Sequence, residues 1–130
     1  MKYLLDTNAV IGIVNDPGSS SARRLKSLAP ADVAISAIVA HELYYGAYRS
    51  ARVDRNVAIV DALQFATLEF DREDAQHAGD IRAALAKSGQ AIGPYDVLIA
   101  GQARARGLTL VTNNRRDFDR VPGLAVEDWA

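Results

Sequence analysis

Tyr3-Leu4-Leu5-Asp6-Thr7-Asn8-Ala9-Val10-Ile11 decides the fold. Tyr3-Leu4-Leu5 is a short apolar run, which reads as a first, buried strand. Thr7 or Asn8 offers a side-chain oxygen to cap the helix that follows. Val10, Ile11, Ile13 and Val14 give that helix its apolar residues. Asp6 stands at the junction, an acid placed directly after a buried strand. The same alternation continues outward. Asp16-Pro17-Gly18 breaks the first helix, and Ser19 to Ser21 begin a second, with Leu25 and Leu28 on one side. Val33-Ala34-Ile35 predicts the next strand, and Ser36 caps a helix running to about Ser50. Asp54 caps another, through Val57, Val60 and Leu63. Thr67-Leu68-Glu69-Phe70 predicts a third strand. Asp71 opens a helix that closes near Ser88-Gly89, a C-terminal glycine signal. Gly93 and Pro94 start a helix ending at Gly107, since the missing N–H of proline is not needed at a first helical position. Leu108-Thr109-Leu110-Val111 is a strand, a turn-rich stretch holds Asn113, Asn114 and Asp117, and Leu124-Ala125-Val126 is a last strand.

Strands alternating with helices imply an α/β fold, a parallel sheet covered on both sides. In such sheets the ligand site lies at the carboxyl ends of the strands. Asp6 and the run Thr112, Asn113 and Asn114 each follow a strand directly, so they are expected to converge at one edge. The chain of 130 residues suffices for one domain, spanning 1–130, with a real core, and is too short for two.

Composition narrows the chemistry. With no cysteine, disulfides, zinc-thiolate sites and cysteine nucleophiles are excluded. A reducing, cytoplasmic setting is compatible. The first apolar run is interrupted by Asp6 too early for a signal peptide or a membrane span. A formal net charge of -1 argues against a protein that simply coats nucleic acid. It leaves room for a nuclease, in which acids hold metal while arginines elsewhere hold phosphates. The arginines do cluster, at Arg23 and Arg24, at Arg49, Arg52 and Arg55, at Arg104 and Arg106, and at Arg115, Arg116 and Arg120. Solvated helix faces are the plainer use of any one cluster.

Three acids occupy awkward places. Asp96 shares a helix face with Ile99, Ala100 and Ala103, the spacing of a core stripe. A carboxylate facing a core is costly unless something neutralises it. Glu42 lies inside an apolar helix, at helical spacing from Ile38, Tyr45 and Arg49, and Asp6 follows the first strand. Each has a plain structural role open to it: a turn or helix start for Asp6, an ion pair along its helix for Glu42, a favourable helix N-terminus for Asp96. Together they point to a divalent metal site. Magnesium and manganese take oxygen ligands, typically a few carboxylates plus water and substrate phosphate. Such ions activate water and stabilise the charge that builds on phosphorus during in-line attack. His41 and His77 read as surface or pocket-lining residues. No serine has a nearby histidine–acid pattern, and no phosphate-cradling P-loop is present.

Four motifs in order then resemble a known family, the PIN-domain ribonucleases, and within it the VapC toxins of bacterial toxin–antitoxin operons. They are Leu5-Asp6-Thr7-Asn8; Ser36-Ala37-Ile38-Val39-Ala40-His41-Glu42-Leu43 with Tyr45-Gly46-Ala47; Gly93-Pro94-Tyr95-Asp96-Val97-Leu98-Ile99-Ala100; and Leu110-Val111-Thr112-Asn113-Asn114 followed by Asp117-Phe118. The ending Val121-Pro122-Gly123-Leu124 with Glu127-Asp128-Trp129 is also similar. The resemblance covers essentially the whole chain. It implies an α/β/α sandwich with a central, mainly parallel sheet and a Mg2+-dependent endoribonuclease in which Mn2+ can substitute. Asp6, Glu42 and Asp96 match the family's acidic metal positions. Many relatives carry an Asp where Asn114 stands; Asp117, a turn later, is expected to supply that carboxylate, with Thr112, Asn113 and Asn114 ordering water or the acids. The resemblance also implies a cognate VapB-type antitoxin, a toxin homodimer, larger toxin–antitoxin assemblies, and contact with DNA only through the antitoxin. Its enteric branch cuts initiator tRNA in the anticodon stem-loop, so tRNA is the favoured substrate and translation the process inhibited.

The remaining assignments follow from residue type. Arg49, Arg115 and Arg116 are candidates to grip RNA phosphates on either side of a cut. Tyr44, Tyr45, Tyr48 and Tyr95 can stack a splayed base, or serve core packing or a dimer contact. The Leu43/Ala47 stripe is either a groove wall for the antitoxin or ordinary core. Two other functions compete. A catalytically degenerate PIN-like binding module is expected to have lost its acids. A haloacid-dehalogenase-type phosphatase would share Asp6-Thr7-Asn8-Ala9-Val10 but needs a second Asp where Asn8 stands, and a suitably placed lysine; Lys2, Lys26 and Lys87 are the only lysines.

Overall fold

The computed structural model describes residues 1–130. The opening stretch forms β1 (Tyr3–Leu5) followed by α1 (Thr7–Asn15). Leu4 and Leu5 are both fully buried. Because successive strand residues point to opposite faces, both faces of the sheet are covered there. The sheet continues with β2 (Val33–Ser36), β3 (Ala66–Leu68), β4 (Thr109–Val111) and β5 (Val126–Glu127). Its order is β3-β2-β1-β4-β5, and every pairing is parallel. Leu5 pairs with Ile35 on one side and Val111 on the other, so the carboxyl ends of the three central strands lie level.

The helices are α2 (Ser20–Lys26), α3 (Ala37–Arg49), α4 (Val53–Asp61), α5 (Arg72–Lys87), α6 (Pro94–Ala105) and the single-turn α7 (Arg115–Phe118). None is long and apolar enough to cross a membrane. Leu4, Leu5, Val10, Ile81, Ile99, Leu110 and Phe118 lie in one hydrophobic cluster. Fully burying a side chain of this kind is worth about 1.5–3 kcal/mol. α5 and α6 approach so closely at Gly101 that a Cβ there would sit 2.6 Å from the Ala78 backbone. A buried polar network seals the same contact. Gln102 Nε2 donates to the Glu69 carbonyl and to Asp74 Oδ2, and Arg106 donates to both carboxylate oxygens of Asp74.

The order of strands creates the crevice that matters. From β1 the chain moves one way to β2 and β3, then returns to the other side of β1 for β4 and β5. The switch point is therefore the β1/β4 junction, and the helices leaving these strands diverge there.

Several boundaries differ from expectation. Asp6, rather than Thr7 or Asn8, caps α1: its Oδ1 accepts the Ala9 N–H at 2.7 Å. α4 starts at Val53, with Asp54 in its first turn and Leu63 beyond its end. β3 stops at Leu68, because the Glu69 carbonyl is taken by Gln102 and Arg106 instead of a neighbouring strand. β5 begins two residues later than Leu124, after a turn in which Gly123 has φ 76°. The turn-rich stretch contains α7, anchored by the buried Phe118.

Candidate active site

Four acids reach the β1/β4 crevice from four elements. Asp6 ends β1 and caps α1, Glu42 sits mid-way along α3, Asp96 lies in the first turn of α6, and Asp117 lies in α7. Asp6 is buried, and its backbone N–H is held by the Val111 carbonyl of β4. Burial pushes the Asp6 carboxyl above its ordinary range, more than Thr112 and the Ala9 N–H lower it; the charges of Glu42 and Asp128 push the same way as burial. Asp96 is raised further, to about 6, first by burial and then by repulsion from Glu42, Asp6 and Asp117. Asp96 therefore feels the charge of the other three acids.

What holds each acid differs. Thr7 Oγ1 donates to Glu42 Oε1 at 3.0 Å, linking the start of α1 to the middle of α3. Asn114 Nδ2 donates to Asp117 Oδ2 at 3.0 Å, and the Asn114 N–H donates to Thr112 Oγ1. Arg120 lies 3.8 Å from Asp117. No lysine, arginine or histidine pairs with Asp6, Glu42 or Asp96; the ion pairs of the chain lie elsewhere. Gly93 leaves room for this arrangement, since a Cβ there would come within 3.2 Å of Asp96 Oδ2.

No three His, Asp or Glu side chains converge closely enough here to hold an ion by themselves. The donor set nevertheless fits a hard divalent cation. It is all oxygen, it carries negative charge in excess, and only Asp117 of the four has a cation beside it.

The other candidates are spread more widely. Arg115 and Arg116 flank Asp117 on α7, Arg115 lying 3.6 Å from Asp119. Arg49 stands at the far end of α3, its guanidinium 5.3 Å from the Tyr45 ring centroid, and does not reach the acids. Asn113 lines a separate polar cavity on the other side of Thr112. Tyr45, Tyr48 and Tyr95 are exposed at 59%, 63% and 46%, which removes core packing as their use. Tyr44 donates to Asp61 of α4. His41 is exposed against Tyr95, and His77 Nδ1 accepts from Arg104. Leu43 and Ala47 line an apolar groove with Val10, Ile11 and Val14, and Glu42 stands in its wall.

Two site residues escaped sequence reasoning. Thr7 was assigned to capping, and its bond to Glu42 spans 35 residues, a separation no local spacing reveals. Asp128, whose charge is felt at Asp6, belongs to the C-terminal segment and is placed there by the pairing of β5 with β4.

Comparison with known proteins identifies the family of the fold. Residues 3–124 match the PIN domain family. The chain is 43% identical over 133 residues to the tRNA(fMet)-specific endonuclease VapC of Shigella flexneri, covering 100% of this chain and 99% of that one. It is 39% identical over 131 residues to Ribonuclease VapC2 of Haemophilus influenzae, covering 99% and 98%. Among solved structures, the DNA-bound VapBC of Salmonella typhimurium superposes with a TM-score of 0.95 at 42% identity, covering 100% and 99%. VapBC2 of Rickettsia felis, bound to a promoter DNA fragment, gives 0.93 at 34% identity and covers 100% of both chains.

Proposed function

Because this chain belongs to the PIN-domain family, we propose that it is an endoribonuclease toxin of the VapC type that cleaves tRNA, with initiator tRNA the favoured substrate. A VapB-type antitoxin is its partner, in keeping with the VapBC complexes it resembles. One observation carries the catalytic reading. Asp6, Glu42 and Asp117 all bear by charge on Asp96 at the switch point, and Asp6, Glu42 and Asp96 have no cation of their own.

Mg2+, or Mn2+ in its place, would be held by Asp6 and Asp96 with Glu42 and Asp117 completing the set. Bound there, the ion supplies an activated water and offsets the charge of the phosphoryl transition state. The chain's residues set up that chemistry. The Ala9 N–H holds Asp6, Thr7 holds Glu42, and Asn114 holds Asp117. Asp96 is left to respond to charge: burial and the charges of Glu42, Asp6 and Asp117 push its carboxyl up to about 6, and a cation held there would favour its ionised form. Hydrolysis forms a bond from the water oxygen to phosphorus and breaks one bond from phosphorus to a ribose oxygen, which leaves with a proton. Arg115 and Arg116 precede Asp117 on α7 and are suited to hold RNA phosphates.

The test is cleavage of total bacterial tRNA by the wild-type protein and Asp96→Asn, with and without EDTA, with cut sites mapped by primer extension. A single Mg2+-dependent cut in an anticodon stem-loop, absent from the variant, is expected. Equal cutting by both proteins would overturn the assignment of Asp96. No cut by the wild type in tRNA or ribosomal RNA would favour a binding module that kept its acids.

A further inference from the structure

α1 divides two depressions. On one flank lies the apolar groove that includes Glu42. On the other is a polar cavity of about 400 Å3, enclosed by α1, the turn into α2, the end of β4 and the C-terminal residues. The cavity adjoins the acids directly. Ala9, whose N–H holds Asp6, and Thr112, which also stabilises Asp6, are both in its wall.

Its chemistry is selective. Asn8, Ser21, Asn113, Asp16 and Asp128 present amides, a hydroxyl and carboxylates, and no lysine or arginine takes part. Some of the lining is already engaged: Ser19 caps α2, and Ser20 Oγ donates to the Trp129 carbonyl. The Asn8 and Asn113 amides and the Ser21 hydroxyl remain for a ligand. No lysine or arginine of the wall is there to pair with a phosphate. A wall of amides and carboxylates suits a group that offers N–H and O–H donors along a planar edge, as an unstacked base with its ribose does. A cavity of this size accommodates one nucleoside.

Gly12 gives access to the cavity by substitution. It is exposed in the cavity wall, and a Cβ built on it meets nothing within 4 Å. A longer side chain at this position therefore has open space in which to enter the cavity.

We propose that this cavity is a nucleoside subsite, which receives the base and ribose beside the scissile phosphate and favours bases with an exocyclic amino group over uracil. The subsite rests on the ribonuclease reading above and gives that reading a source of sequence preference.

Gly12→Leu fills the cavity from an exposed helix position, and Asn8→Ala removes one free amide without adding bulk. Two measurements apply to the wild type and to both variants. The first is cleavage of a stem-loop RNA carrying each of the four bases on either side of the cut. The wild type is expected to prefer adenine, cytosine or guanine over uracil on one side by about tenfold or more. Asn8→Ala should shrink that preference, and Gly12→Leu should abolish it with a loss of tenfold or more in kcat/KM. The second uses Trp129, the single tryptophan of the chain and part of the cavity wall. Cytidine should change its fluorescence in the wild type and not in Gly12→Leu, while inorganic phosphate should not change it in either. Variants that cut with wild-type rate and base preference would overturn the subsite and leave the nuclease intact. If the wild type cuts no RNA, the ribonuclease reading fails, and the fluorescence response decides the cavity alone: a cytidine response lost in Gly12→Leu supports it, and no response overturns it.

Discussion

Asp74 and Asp96 are the same residue type in two regions of one molecule, and they have opposite fates. Asp74, in the first turn of α5, is 1% exposed. Burial alone would raise its pKa, but Arg106, the Asp71 N–H and Gln102 outweigh burial and bring it below the ordinary range. Asp96, in the first turn of α6, is raised to about 6 by burial and three neighbouring carboxylates. Both acids begin helices that pack against each other. The first is fully compensated and belongs to the scaffold. The second is left uncompensated at the mouth of the crevice, where a charge deficit is useful only to something that comes from outside. The contrast shows that burial of an acid does not by itself mark a site; burial without a partner does.

Substitutions can break this contrast. The largest effect is expected from Asp96→Asn. RNA cleavage should fall by about a thousandfold or more, an order typical of losing a central catalytic group. At neutral pH the cation-free variant should melt no lower than the wild type, since a repelled charge has been removed. Asp74→Ala should do the reverse. It leaves Gln102 and Arg106 without their shared acceptor and should cost about 3 kcal/mol in urea unfolding. Its residual folded fraction should cleave RNA at close to the wild-type rate.

Thr7→Val keeps the helix start, because Asp6 is the cap, and removes only the donor to Glu42. About a tenfold loss of kcat is expected, with little change in unfolding free energy; rescue by Thr7→Ser would assign the effect to the hydroxyl. The smallest effect concerns pH. A carboxyl raised from 3.8 to about 6 on folding stabilises the folded state fully below its unfolded value and loses that contribution as pH rises through about 6. Cation-free protein should therefore lose about 1 kcal/mol between roughly pH 4 and 7 after allowance for solvent screening. Asp74 has the opposite sign, and its contribution disappears only as pH falls below the ordinary carboxylate range. Asp96→Asn should flatten the first slope and leave the second in place.

Much of this is legible in local patterns. The alternation of apolar runs and capping residues suffices for a parallel sheet, because each strand is bounded by a turn or cap that acts within a few residues. Asp6, Glu42 and Asp96 stand out because each interrupts an apolar pattern. The unread parts are those set by distant partners. Glu69 looks like strand and leaves the sheet because Gln102 and Arg106 take its carbonyl. Thr7 looks like a cap and serves Glu42. Asn114 looks like a turn residue, and its amide holds Asp117. The polar cavity beside Gly12 needs α1, α2, β4 and the C-terminus in place before it exists.

Asp6, Glu42 and Asp96 at the β1/β4 crevice have no ion-pair partner, and a divalent cation is the compensation we propose for them. The most direct measurement is the thermal midpoint of wild type, Asp96→Asn and Asp74→Ala as Mg2+ and Mn2+ are titrated. Binding to the folded state alone raises the midpoint with concentration. The account predicts a concentration-dependent rise for the wild type and for Asp74→Ala, and none for Asp96→Asn. An equal rise in all three proteins, or none in the wild type, would contradict it.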